Sequence, residues 1–219
     1  MVPTARESLL DAAFAALAGR PWPAVRMVDV AAAARVSRQT LYNEFGSKDG
    51  LARALVRREA DTYLAGVDRA LGAGGGDPGA RLAAVADWTV RGARASPLLR
   101  AVLTGFWTER LPEPPGAGPP SAYVPAQRRA DTAPLSPADL LGLVRDRARA
   151  ALEPGCPQEE AERLGRVCET AVRLALSHVV APGAPADLML TVRELAWPQG
   201  RFSGPSPTAG GRSRPRSPV

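Results

Sequence analysis

Four polar side chains at helical spacing carry the first chemical signal in this sequence. Arg38 and Tyr42 stand four residues apart, as do Gln39 and Asn43, so a helix through RQTLYNEF brings all four onto one polar stripe. A guanidinium can donate two bonds to guanine O6 and N7. A carboxamide can pair with adenine N6 and N7, and each such pair gives about 1–3 kcal/mol of discrimination between bases. Leu41 and Phe45 form a separate apolar pair that would seat the same helix on a core. Any exposed helix face is polar, so the stripe takes its meaning from the elements around it.

Those elements lie in residues 26–51, RMVDVAAAARVSRQTLYNEFGSKDGL. Met27, Val30, Ala31 and Ala34 recur at i, i+3, i+4 and i+7, the apolar face of a first short helix. Ser37 is a good N-cap for the second, and Gly46 stands where a helix-terminating glycine belongs. Ser47 then caps a third, long helix opening with Lys48 and Asp49. Helix, short turn, helix is the plan of a DNA-reading helix-turn-helix.

On these residues the block resembles the DNA-binding domain of the TetR family of bacterial transcriptional regulators. That family's usual pattern is a helix ending Ile-Ala, a turn Ala-Gly-Val-Ser, a recognition helix with Thr-Leu-Tyr and a terminal Phe, then Ser-Lys-Glu-x-Leu. Here they stand as Val30-Ala31, Ala34-Arg35-Val36-Ser37, Thr40-Leu41-Tyr42, Phe45 and Ser47-Lys48-Asp49-Gly50-Leu51. The resemblance covers roughly the first 60 residues. It implies phosphate contacts from Lys48 and Tyr42, with Thr40 also at a family position. Ser37 would cap the helix and reach phosphate, and Arg26 stands where the family usually has a phosphate-touching Thr or Ser. Arg38, Gln39 and Asn43 are left to read bases. Two positions depart from the pattern. Arg35 replaces the turn glycine, where a positive φ would cost about 1 kcal/mol, so the turn is expected either to be slightly altered or to bear that cost in return for another cation near DNA. Glu44 stands where His is frequent; a carboxylate there would repel phosphate, so it is expected to face away or pair with an arginine.

Length and composition bound the rest. A chain of 219 residues with 45% hydrophobic content can bury a real core. No apolar run approaches the roughly 20 residues that span a bilayer, and Glu7 and Asp11 interrupt any secretory leader. A soluble, cytoplasmic protein is expected. Cys156 and Cys168 make no disulfide framework, and with the single His178 they are too few for a zinc cluster, so no metal or cofactor is expected. His178 lacks a nucleophile signature beside it and reads as a packed or interface residue. The net charge of +6 is weak support for nucleic acid, because residues 198–219 carry Arg201, Arg212, Arg214 and Arg216 and no acid, whereas residues 1–48 carry six bases against four acids.

Along the chain, a first helix is expected over residues 4–17, with Leu10, Phe14 and Leu17 on its inner face and a Thr4/Glu7 capping box. The helix from Ser47 should run to about Leu71, before a Gly-rich break at 72–79. Helices follow at 80–95, 98–109, 136–152, 157–180 and 186–197, the last with Leu188, Val192 and Leu195 on one face. Seven prolines in residues 111–134 mark a long loop, and residues 198–219 a disordered Arg/Pro/Ser tail. No strand pattern is evident, and the fold expected is all-α with about nine helices. The domains expected are a DNA-binding head at 1–50, a helical ligand-binding and dimerisation domain at 51–197, and the tail.

The resemblance further implies a ligand-responsive repressor that binds a palindromic operator as a homodimer. The helices at 157–180 and 186–197 would pair across the two-fold axis. A small-molecule effector would sit among Tyr63, Trp88, Leu99, Leu103, Phe106 and Trp107, although aromatics at helical spacing also make ordinary core. A helical protein-interaction module and an enzyme with an accessory helix-turn-helix are the alternatives from other classes. The enzyme is disfavoured because the sequence carries no nucleophile, metal or phosphate-loop constellation.

Overall fold

A computed structural model describes residues 3–73, 77–114, 135–152, 157–181 and 184–196. The described residues form nine α-helices, one 3-10 turn and no strand: α1 Ala5–Gly19, the turn Trp22–Ala24, α2 Met27–Ala33, α3 Arg38–Phe45, α4 Lys48–Ala73, α5 Pro78–Ala95, α6 Pro97–Thr104, α7 Pro137–Leu152, α8 Gln158–Val180 and α9 Pro185–Ala196. Residues 115–134 of the Pro-rich stretch, Cys156, Trp197 and the whole Arg-rich tail lie outside the described residues.

Caps fix the helix starts where the sequence places its small polar residues. Thr4 Oγ1 accepts from the Glu7 amide at 3.1 Å and Glu7 Oε2 accepts from the Thr4 amide at 2.7 Å, a complete capping box. Ser136 and Asp139 repeat it at α7, at 3.1 and 3.0 Å. Ser37, Ser47, Asp77 and Ser96 each accept from an amide in the first turn of the helix that follows.

The helix α4 is the spine. Its first half packs on α1 and α3, and further along it packs on α5, α6 and α7, so one rigid element reaches from the head into the larger helical bundle. In the bundle α5 lies against α4, α8 and α9. Leu51, Leu55, Tyr63, Val67 and Leu71 along α4 are buried, together with Leu82 and Val85 of α5 and Val172 and Ala175 of α8. The guanidinium of Arg81 on α5 donates to the Leu71 carbonyl, and through Nη2 to Ala151 O at 2.9 Å, tying down the last turns of α4 and α7.

Three expectations are corrected. Phe14 is 40% exposed; α1 turns Leu9, Leu10 and Ala13 inward, and the Phe14 ring lies outside beneath the Arg58 guanidinium at 5.7 Å. The helix expected over 98–109 ends at Thr104, because Gly105 takes φ 74°, a left-handed conformation that favours glycine. Phe106, just beyond that break, is thrown outward and is 78% exposed. On α9, Leu188 and Val192 are buried as expected but Leu195 is 40% exposed, the inner face continuing instead to Ala196.

Candidate nucleic-acid interface

The eight-residue helix α3 divides cleanly. Leu41 and Phe45, at 0% and 4% exposure, lock it to the head core beside Val30, Ala31, Leu9 and Trp22. Arg38, Gln39, Tyr42 and Asn43 all lie on its solvent side, with Thr40 half-buried. Gln39 Nε2 donates to Asn43 Oδ1 at 2.9 Å, so the two carboxamides hold each other upright before any ligand arrives. Ser37 Oγ accepts from the Thr40 amide at 3.0 Å and lies 2.8 Å from Thr40 Oγ1, which fixes the hydroxyls at the start of the helix.

The turn that aims α3 is built at a conformational cost. Arg35 adopts φ 58°, and among the described residues it is the one non-glycine with positive φ. Of an altered turn and a tolerated cost, the two outcomes open at this departure, the backbone shows the second, keeping a left-handed conformation at Arg35. At the other end of α3 the chain doubles back so tightly that a Cβ at Gly50 would lie 1.9 Å from the Phe45 carbonyl oxygen. Only glycine fits there, and that close approach brings Lys48 beside the end of α3.

Lys48 donates from Nζ to the Pro23 carbonyl at 3.0 Å and stands 5.1 Å from the Trp22 ring centroid. Partial burial holds its pKa below the usual lysine value, with Asp49 acting against the shift. An ammonium has three donors, so this anchoring leaves capacity for a phosphate. Arg26, exposed at the start of α2, gives its Nε and Nη2 to Asp29 at 3.0 and 3.1 Å, and Arg20 joins the same carboxylate at 3.2 Å. The Arg26 hydrogen bond keeps the Asp29 pKa below the ordinary carboxylate value. Arg26 therefore faces solvent with part of its fork already engaged. Glu44 meets the expectation of an arginine partner, which is Arg6 at 3.7 Å. Nothing in the spacing of Arg6, near the start of the chain, announced that contact.

The residues expected to hold an effector separate. Tyr63, Leu99 and Leu103 belong to the buried core, and Trp88 and Trp107 pack partly buried against it. Phe106 lies outside that core, exposed to solvent. Thr89, which sequence reasoning left unassigned, is fully buried and gives its hydroxyl proton to Val85 O at 2.8 Å, so the Tyr63 hydroxyl, 2.9 Å away, donates to it. Trp88 Nε1 donates to the Tyr63 carbonyl at 3.1 Å. A groove of about 600 Å³ lies in the head, between α1 and α2, and none of these aromatic residues lines it.

Two further titratable side chains lie in the bundle. His178 Nδ1 lies 3.1 Å from Leu174 O on its own helix, and burial pushes the Cys168 thiol up to about 12. Among the described residues no group of three or more His, Cys, Asp or Glu could hold a metal ion, and no helix is long and apolar enough to cross a membrane.

Residues 9–55 match the family model for bacterial regulatory proteins of the tetR family. Over 72 residues the chain is 47% identical to the HTH-type transcriptional regulator AlkX of Mycobacterium tuberculosis (strain ATCC 25618 / H37Rv); the match takes in 33% of this chain and 34% of that protein, so it spans about a third of the relative's length. Among solved structures, the TetR family repressor AlkX from Dietzia sp. strain DQ12-45-1b, implicated in biodegradation of n-alkanes, superposes with a TM-score of 0.50 at 22% identity, over 87% of this chain and 91% of that one. The fatty acid degradation regulator FadR from Bacillus halodurans gives 0.53 at 13% identity, over 92% and 98%. At such identities the two likenesses establish a shared fold.

Proposed function

We propose that this chain, whose residues 9–55 match the family model for bacterial regulatory proteins of the tetR family, is a cytoplasmic repressor of that family binding a palindromic operator as a homodimer. The observation that carries the reading is the division of α3: an apolar pair clamped into the head, and Arg38, Gln39, Tyr42 and Asn43 outside where base edges and phosphates would meet them. Lys48, Ser37, Thr40 and Arg26 flank that face and serve as backbone-positioning groups. Two heads related by a two-fold axis would enter successive major grooves about 34–36 Å apart.

The dimer is assigned to α8 and α9. Val180, Leu190 and Leu195 are 62%, 58% and 40% exposed on these two helices, apolar surface that a second copy would remove from water. The effector is assigned to the bundle around Tyr63, Trp88, Leu99, Leu103 and Trp107, with the exposed Phe106 left out of that set. The Tyr63–Thr89 pair supports this, being the polar group set in the apolar interior where α4 meets α5. A ligand that preferred one inclination of α4 would shift the spacing of the two heads, and only such a preference makes it an effector.

The test is binding of the full chain to duplexes drawn from a random pool, followed by sedimentation of the complex. The reading expects two chains per bound duplex; a monomer at micromolar concentration, free and bound, overturns the dimer.

A further inference from the structure

We infer that Arg6 is a positioning residue for operator binding, which it serves by neutralising the Glu44 carboxylate and bracing the last turn of α3. The inference rests on the reading of α3 as the DNA-contacting helix. Glu44 and Phe45 are adjacent at the C-terminal end of that helix, and Arg6 touches both. Its Nη1 lies 3.7 Å from Glu44 Oε2, and its guanidinium carbon lies 4.8 Å from the Phe45 ring centroid. The two charged side chains are 25% and 34% exposed, so the pair is shielded more than an ordinary surface contact.

Charge explains why such a partner is needed. The carbonyl end of a helix already carries partial negative charge, which a cation stabilises and a carboxylate worsens. Glu44 is also the immediate neighbour of Asn43, on the solvent side of α3, so its charge would lie within a Debye length, about 8 Å at physiological salt, of phosphates bound by that face. Arg6 offsets both effects. Its mount is stiff, because Arg6 lies between the two residues of the Thr4/Glu7 capping box that fixes the first turn of α1. Contact with the Phe45 ring and charge pairing with Glu44 together suit arginine better than lysine.

A double-mutant cycle on the full chain tests this, with operator affinity followed against salt for wild type, Arg6→Ala, Glu44→Gln and the double variant. Arg6→Ala should weaken binding about tenfold, Glu44→Gln should change it by less than about twofold, and the double variant should return to within about threefold of wild type. Arg6→Lys should fall between wild type and Arg6→Ala. Thermal melts accompany each binding curve. If Arg6→Ala melts too low to assay, the charge-swapped Arg6→Glu/Glu44→Arg protein takes its place and should bind, whereas Arg6→Glu alone should not. A double variant as weak as Arg6→Ala would overturn the inference, since Arg6 would then act without Glu44; so would an Arg6→Ala protein that binds like wild type. Wild-type protein that selects no operator would instead remove the DNA-binding reading itself, and this inference with it.

Discussion

The backbone N–H of Trp22 donates to the Arg110 carbonyl at 2.9 Å, joining the connection between α1 and α2 to the segment beyond α6. The same connection holds Lys48 through the Pro23 carbonyl and the Trp22 ring, so the bundle grips the head at the point where Lys48, the proposed phosphate contact, is anchored. Trp22 is 8% exposed and fills the floor of the small head core. Trp22→Ala should therefore cost about 3–5 kcal/mol in denaturant unfolding, while Trp22→Phe, which keeps an aromatic face under Lys48, should cost clearly less. Equal losses in the two variants would mean that the ring contributes through something other than burial and its contact with Lys48.

Lys48→Ala should weaken binding to all DNA sequences alike and reduce the slope of log affinity against log salt by about one. Salt titrations on an operator and on a scrambled duplex check this. A loss confined to the operator would assign Lys48 to base reading.

The backbone at the turn and at the α3–α4 junction makes opposite demands. Arg35→Gly should stabilise the head by up to about 1 kcal/mol, because glycine occupies φ > 0 without a Cβ penalty, though it gives some of this back as unfolded-chain entropy. Gly50→Ala should destabilise by about 3 kcal/mol or prevent folding, since the obstacle to the new Cβ is a backbone carbonyl that no rotamer change can move. Thermal unfolding of the two variants reads both signs directly.

Alkaline pH should destabilise the bundle. Burial raises the Cys168 pKa from 9.0 to about 12 and pushes the buried Tyr63 hydroxyl up as well. Both groups fold in their neutral forms, so the unfolded chain loses protons first. Stability from them is complete below pH 9 and drains away as pH rises towards about 12. In a Cys156→Ser background, a thiol reagent at pH 8 should label Cys168 only at the rate of unfolding. Rapid labelling of the native protein would contradict its burial.

The head was more legible in the sequence than the bundle because its signals are local. Thr4 with Glu7, Ser37 before RQTLYNEF, and Gly46 after it each report a helix end from a few neighbouring residues, and all three are realised. The inner faces were harder. On α1, Phe14 satisfies the same helical period as Leu10, yet the buried face runs through Leu9, Leu10 and Ala13 and leaves Phe14 outside. Phe106 misled for a different reason: apolar residues continue past Thr104, and Gly105, compatible with either continuing or ending a helix, ended it. Contacts across long separations left no trace in spacing at all, among them Arg6 with Glu44 and Trp22 with Arg110.

The central claim is that the outer face of α3 reads base edges. The most direct measurement is parallel selection of bound sequences from random duplex DNA with the wild-type chain and with Arg38→Ala. The account predicts an inverted repeat from the wild type, its half-sites centred one helical turn apart, and the same repeat from Arg38→Ala with one base pair in each half-site relaxed, a loss of about 1–3 kcal/mol of discrimination there. No enriched motif from the wild type, or an identical motif from both proteins, would contradict it.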